Sequence, residues 1–479
     1  MKHKSKEVNP QVKPFPKTES SLPILHPNVA GIDIGSESHF VAVPLGRDEK
    51  HVREFLSFTA DLNKMVEWLK KCKIEIVAME STGVFWIPVF EILDQNGFEV
   101  KLVNARHVKN VSAHKTDVED CQWLQQLATF GLLKGAFRPK NDIVELRAYL
   151  RHRDNLIKAA AVHIQHMQKA LTQMNLQIHN VISDITGKTG MAIIRSIVAG
   201  NRDPKALASL RDERCHNSAE TIMKSLEGNY RKEHLFTLRQ ALDLYDVYVK
   251  KVAECDIEIQ HKVKALETKP LPEKITTKDA KQTTSVLECS TLKKVKERKQ
   301  KLKKHEFPME MGNELIRITG VDLKKLPGIG VSSILYIISE IGVDLSPWRT
   351  SKHFASWLGL SPGNKVSGGK RLSGKTKPCA NRVAIILRMA ANSLYNADCA
   401  LGAYLRRMKM RLGSPKAITA CAHKLAKLLY CMLRYGWEYV EKGVKYYEDM
   451  YKARKEASLK RKAEEMGYKL VREEQPVLA

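Results

Sequence analysis

The chain has 479 residues, too many for one ordinary core, so two or three domains are expected. Lys and Arg number 80 against 53 Asp and Glu, a net charge of +27, which favours a polyanionic partner because each phosphate contact by a cation releases counterions. No apolar run of ~18 residues and no lipidation motif occurs, which excludes a spanning helix, and nine scattered cysteines without a C-x-x-C pair exclude a zinc ribbon or disulfide framework and fit a reducing cytosol.

Residues 1–28 carry Pro10, Pro14, Pro16, Pro23 and Pro27 with no apolar signal-peptide core, and read as a disordered basic arm. Residues 29–138 alternate strand and helix signals. Val29-Ala-Gly-Ile-Asp-Ile34, His39-Phe-Val-Ala-Val-Pro44 and His51-Val-Arg-Glu-Phe-Leu-Ser-Phe58 are three strands at hairpin spacing. Thr59 reads as the cap of a helix over 60–72, with Leu62, Met65, Val66 and Leu69 at helical spacing. A strand at 74–79, a helix at 86–95, a strand at 98–103 and a helix at 117–130 follow. Periodicity gives an α/β domain with a mixed sheet, and this element order is that of the ribonuclease H-like, or RuvC-like, fold.

Residues 139–266 read as a helical or coiled-coil region, with long patterns at about 141–182 and 233–266 suited to self-association or RNA contact. Residues 267–312 form a Lys-rich linker with Pro270, Pro272 and Pro308. Residues 313–452 are a mainly α C-terminal domain, and 453–479 a charged, solvated helical tail.

Four carboxylates stand at distinctive stations. Asp33 ends the first strand and Glu80 the fourth, and in this order those strands can lie side by side. Asp117 and Asp120 are three apart on one helix and share a face, while Glu119 points elsewhere. Taken singly, each is an ordinary turn or cap residue. Together they cannot all stay ionised without a cation, and hard oxygen donors suit Mg²⁺ or Mn²⁺. Two such ions about 3.5–4 Å apart serve in-line phosphoryl transfer.

In the C-terminal domain, Leu326-Pro-Gly-Ile-Gly-Val331 precedes a helix at 332–341. Gly328 and Gly330 suit a helix-hairpin-helix turn whose N–H groups approach a phosphate. Beyond it, Gly363, Gly368 and Gly369 mark a flexible loop in which Lys365, Lys370 and Arg371 surround Ser367, and Lys375, Lys377, Arg382 and Arg388 follow. These cations fit nucleic-acid phosphates. A serine in such a loop is by chemistry alone an ordinary loop residue, since its hydroxyl needs activation to attack. The apolar stripe over 417–433 reads as a core or partner helix, with His423 a packed residue.

These segments resemble the DEDD transposases of the insertion sequence 110 family. Val29-Ala-Gly-Ile-Asp-Ile-Gly35, Met79-Glu-Ser-Thr-Gly83 and Lys115-Thr-Asp-Val-Glu-Asp120 match the family's RuvC-like part, and Ile185-Thr-Gly-Lys-Thr-Gly-Met191 and Ala199-Gly-Asn-Arg-Asp-Pro204 its middle. Leu326-Pro-Gly-Ile-Gly330, Phe354-Ala-Ser-Trp-Leu-Gly-Leu360 and Val366-Ser-Gly-Gly-Lys370 match its C-terminal part. The resemblance implies that Asp33, Glu80, Asp117 and Asp120 ligate magnesium or manganese and that Ser367 forms a phosphoserine with DNA. Serine and carboxylates would then complete one composite site, since each set alone is chemically incomplete. It further implies donor and target DNA as substrates, a structured noncoding guide RNA from the element, a homodimer or homotetramer, and a bacterial or archaeal cytoplasm, near the nucleoid.

The sequence departs from the family at Pro378-Cys-Ala-Asn381, where Ala380 stands for a glycine, and this leaves Ser373 as a second candidate nucleophile. A junction-resolving nuclease using water, and a non-enzymatic nucleic-acid scaffold with structural carboxylates, are the alternative readings.

Overall fold

Along the first strand, Ala30 and Ile32 alternate with Val29, Gly31 and Asp33, so the two sets fall on opposite faces of a sheet. A computed structural model, which describes residues 22–81, 83–103, 116–269, 305–436 and 443–471, shows what each face covers. The chain divides into two compact units, Met1–Arg138 and Pro139–Ala479.

The first unit contains β1 (Val29–Ile34), β2 (Ser38–Ala42), β3 (Val52–Leu56), α1 (Thr59–Lys71), β4 (Ile76–Glu80), α2 (Trp86–Gln95), β5 (Glu99–Val103) and α3 (Asp117–Thr129). The sheet order is β3-β2-β1-β4-β5. β1 and β3 run antiparallel to β2, whereas β1–β4 and β4–β5 are parallel. This mixed sheet with its helices agrees with the ribonuclease H-like order. On one face Ala30, Ile32, Val41, Val77 and Met79 pack with Leu62, Met65 and Leu69 of α1 and Val89 and Leu93 of α2. On the other, Val29 and Ala78 pack against Ala128 of α3. Thr59 is the first helical residue of α1 rather than its cap, and Phe58, in the cap position, makes no side-chain cap bond. Of the expected arm, 1–21 lie outside the described residues, and its end is tied down where the Leu25 and His26 N–H groups donate to the Thr129 carbonyl at 3.0 Å.

The second unit is built on two long helices, α4 (Asn141–Gln173) and α9 (Lys232–Ala265). They run antiparallel: Lys262 near the end of α9 pairs with Glu145 near the start of α4, Arg153 meets Asp256, and His163 stacks on Tyr248. The pattern expected to reach residue 182 stops at Gln173, because Asn175 turns into the left-handed region. Short helices α5 (Ile178–Val181), α6 (Lys188–Val198), α7 (Pro204–Ala208) and α8 (Ala219–Ser225) lie between them in sequence. They share one core with Met167 and Leu171 of α4 and Leu238 and Leu242 of α9.

The Thr186-Gly-Lys-Thr-Gly190 segment is held by structural contacts. Lys188 Nζ pairs with Asp212 at 3.1 Å, the buried Thr189 hydroxyl accepts the Asp212 N–H, and a Cβ on Gly190 would strike the Ile185 carbonyl at 2.3 Å.

The C-terminal part contains α10 (Met309–Thr319), α11 (Val331–Ile341), α12 (Ser351–Trp357), β6 (Lys365–Ser367), β7 (Lys370–Ser373), α13 (Arg382–Ser393), α14 (Ala400–Leu412), α15 (Ser414–Tyr435) and α16 (Gly443–Glu465). α15 is its core, with Ala417, Cys421, Ala422, Leu425, Ala426 and Leu429 fully buried. Most of the expected Lys-rich linker, 270–304, lies outside the described residues. Its described ends are built in: Lys269 Nζ donates to the Leu433 carbonyl at 2.8 Å, and α10 already begins at Met309. The tail helix starts earlier than expected, and Tyr447 packs edge-on against Tyr404 of α14. No disulfide joins the eight described cysteines, and no helix among the described residues is long and apolar enough to cross a membrane.

Basic residues of α4 fasten the long helices to the C-terminal part. Arg147 donates to the Ser339 and Glu340 carbonyls at 3.0 Å, and Arg151 grips the Glu340 carboxylate. Tyr336 and Arg382 both bond Asp154. Arg153, 2% exposed, holds Asp256 and the His305 carbonyl and lies on the Phe307 ring.

Candidate active site

The four carboxylates come from three elements of the first unit. β1 and β4 are parallel neighbours in which Ile32 pairs with Met79, so Asp33 and Glu80 each sit one step beyond that pair. Both lie on the sheet face that α3 covers, by the period-2 alternation from Gly31 and Ala78. Thr116 caps α3, its side chain accepting the Glu119 N–H, and sets Asp117 and Asp120 in the first turn, where the helix dipole favours negative charge.

Their mutual presence is written in the electrostatics of Asp33. Its carboxyl is pushed up to about 6, by burial first and then by the negative charges of Asp117, Asp120 and Glu80, while the Ile34 N–H pulls it down. Oxygen donors from four acids, three of which push the fourth toward its neutral form, fit a hard divalent cation. Among the described residues, no three His, Cys, Asp or Glu side chains lie close enough together to hold a metal ion, so the carboxylates sense one another without forming a closed cage.

Gly31 makes this approach possible. A Cβ there would meet the Cys121 carbonyl at 2.3 Å and the Gln125 nitrogen at 2.4 Å, both backbone atoms of α3. Gly31→Ala must therefore push α3 off the sheet and draw Asp117 and Asp120 away from Asp33. We expect a loss of about 1–3 kcal/mol or more in stability together with weaker binding of divalent cations. Denaturant unfolding and calorimetric titration check both; a variant with parental stability would show that α3 does not press on β1.

Ser367 belongs to the second unit, where the expected flexible loop is instead a β-hairpin. Gly368 and Gly369 take φ of +53° and +75°, the two left-handed residues that a two-residue type I′ turn requires. Ser367 pairs directly with Lys370 across the hairpin, and Val366 with Arg371. The Gly363 N–H donates to the Lys375 carbonyl at 2.9 Å and extends the closure. Ser367 is exposed at the turn. Ser373 is different: its hydroxyl accepts the Lys375 N–H at 3.2 Å and shapes the chain.

Of the expected phosphate-binding cations, Lys365 and Arg371 lie in the hairpin strands, and Lys370, Lys375 and Lys377 are exposed. Arg382, by contrast, pairs with Asp154 at 3.0 Å. The two glycines of the 326–331 turn also differ. Gly328 has φ of +79° and packs where a Cβ would meet the Ala390 carbonyl at 2.7 Å, whereas Gly330 faces open space at the start of α11. Asn381 caps α13, accepting the Val383 N–H at 2.9 Å, so the helix start is secured despite Ala380. Asp154 escaped the sequence reading, because nothing local marks a residue whose partners lie 182 and 228 positions away.

Comparison with known families gives two matches. The model of DEDD transposases of the IS110 type, described as a transposase, matches residues 30–176. One described as a transposase of the IS116/IS110/IS902 family matches residues 322–406. No curated protein matches the chain.

Proposed function

Since the chain belongs to the insertion sequence 110 family of DEDD transposases, and is thereby an enzyme that cuts and rejoins DNA, we propose that it does so with Asp33, Glu80, Asp117 and Asp120 as ligands of a divalent ion and Ser367 as nucleophile. The observation that carries this reading is the raised Asp33 carboxyl, which burial and the charges of the other three acids push up to about 6. Mg²⁺ or Mn²⁺ suits the all-oxygen donor set. When bound, such an ion supplies charge neutralisation and Lewis acidity for phosphoryl transfer.

The protein's own part is to hold the phosphate and provide the hydroxyl. The exposed Lys370, Lys375 and Lys377 draw the DNA backbone to the hairpin, and the tight Gly368–Gly369 turn presents Ser367 at its edge. Ser367 Oγ bonds to phosphorus, the bond from phosphorus to the sugar oxygen breaks, and that oxygen leaves with a proton. Attack by a sugar hydroxyl on the phosphoserine rejoins DNA and returns the proton to the serine. A structured noncoding RNA, pairing with donor and target DNA, is the proposed source of sequence choice. The antiparallel pair α4 and α9, as a coiled-coil element, is the proposed means of forming a dimer or tetramer.

Chelation tests the metal. Strand cleavage is expected to stop with EDTA and return with Mg²⁺ or Mn²⁺, while DNA binding persists; cleavage indifferent to EDTA would sink the carboxylate assignment. Covalent protein–DNA capture separates this chemistry from a nuclease that uses water. Binding should also weaken with salt, log affinity falling against log salt by about 0.9 per neutralised duplex phosphate. Affinity that is flat between roughly 50 and 200 mM salt would show that the basic surface is not the binding face.

A further inference from the structure

Between Asp344 and Glu438 the chain carries seventeen Lys and Arg and a single acid, Asp398. The hairpin and Arg382 account for part of this excess. Much of the rest lies on α14 and α15, whose residues 400–435 include eight basic side chains and no acidic one.

These helices are joined by one residue. Gly413, at φ +76° and ψ 164°, closes α14 by donating its N–H to the Lys409 carbonyl and opens α15 by accepting the Ala417 N–H. Pro415 in the first turn of α15 fixes the restart. So short a connection leaves no linker between the two helices, and the joint takes a backbone angle favouring glycine. It is anchored from behind: Lys424 lies over the Tyr404 ring at 3.8 Å and Arg407 over Tyr451 at 3.2 Å, which pins α16 onto α14.

The tip itself reads Lys409-Met-Arg-Leu-Gly-Ser-Pro-Lys416. Lys409, Arg411 and Lys416 are exposed. Lys409 rests on the Tyr395 ring at 3.9 Å, and none of the three pairs with a carboxylate among the described residues. Between them Met410 stands 91% exposed, the most exposed large apolar side chain described, with Leu412 partly exposed beside it. A thioether so exposed, flanked in sequence by three cations that pair with no carboxylate among the described residues, has no folding purpose. It suits a partner that is anionic on its outside and apolar within, which describes a DNA duplex: phosphates flank the grooves, and stacked bases lie between them.

We propose that the α14–α15 tip is a second, sequence-independent DNA contact, separate from the serine hairpin. Lys409, Arg411 and Lys416 neutralise phosphates, and Met410 enters the groove against the base pairs. This rests on the reading that DNA is the substrate.

The test is a titration of the full-length protein with a fluorescent duplex of arbitrary sequence, repeated at several salt concentrations. Lys409→Ala, Arg411→Ala and Lys416→Ala combined should weaken binding roughly tenfold at 0.15 M salt and flatten the log–log salt slope by about 2.7. Met410→Ala should lower affinity several-fold with the slope unchanged. Removing equal charge elsewhere, by Lys64→Ala, Lys70→Ala and Lys71→Ala, should leave binding close to parental, and thermal melting confirms that each variant folds. Unchanged duplex affinity in the tip variant, an equal loss in the control, or a loss confined to a probe RNA hairpin each overturns the proposal. A parent protein that fails to bind any duplex would instead overturn the reading of DNA as substrate.

Discussion

Asp33→Asn is expected to abolish strand cleavage, by at least about 10³-fold if it removes several kcal/mol of charge stabilisation, while making the metal-free protein more stable at neutral pH. Both effects come from one arrangement. The folded carboxyl titrates at about 6, against 3.8 for an ordinary aspartate, through burial and the three neighbouring acids. The folded state therefore holds this proton more tightly than the unfolded chain. That difference contributes stability which is complete below pH ~4 and lost as the pH rises through about 6. The neutral amide avoids the loss, so melting of the variant should be nearly level between pH 5 and 7.5, where the parent falls. Added Mg²⁺ should restore the parent at pH 7.5 by binding the folded state alone and should do little for the variant. Melting curves at two pH values, with and without Mg²⁺, measure all of this. A variant that responds to Mg²⁺ like the parent would remove Asp33 from the metal site.

Ser367→Ala should eliminate covalent capture of DNA and leave DNA binding intact. The residue sits at the edge of a two-residue turn, exposed, and its side chain makes no hydrogen bond among the described residues. Loss of its hydroxyl should therefore cost chemistry without costing the fold. Ser373→Ala removes an acceptor for the Lys375 N–H; it should loosen the loop and lower activity in part. Mass spectrometry of protein trapped on DNA separates the two. A nucleotide adduct on Ser373, or cleavage with no adduct, would move the nucleophile to the second serine or to water.

How far the sequence revealed these features depended on how local their causes were. The five strands and the two acids at strand ends follow from apolar runs and turn spacing, whereas the side-by-side placement of Asp33 and Glu80 came from likening the element order to the ribonuclease H-like fold. Asp117 and Asp120 followed from three-residue spacing on a predicted helix. The hairpin around Ser367 was missed because glycines and lysines read as flexibility; the overlooked signal was two consecutive glycines between short strands, which is a turn type rather than a lack of structure. Arg153 and Arg382 look like solvated charges on helices. Their burial and pairing depend on Asp256 and Asp154, partners more than a hundred positions away.

The antiparallel pair α4 and α9 has a consequence of scale. A helix rises about 1.5 Å per residue, so the 17 residues from Asp154, where α13 is held, to Leu171, inside the core of the short helices, span about 25 Å. That is the length of roughly seven base pairs, at about 3.4 Å each. The pair thus works as a ruler. Whatever the short helices grip is kept a fixed step from the helix that follows the serine hairpin. Adding one turn to both helices would move the two ends about 5.4 Å further apart, so the exposed side chains of this segment are free to vary while its number of turns is not.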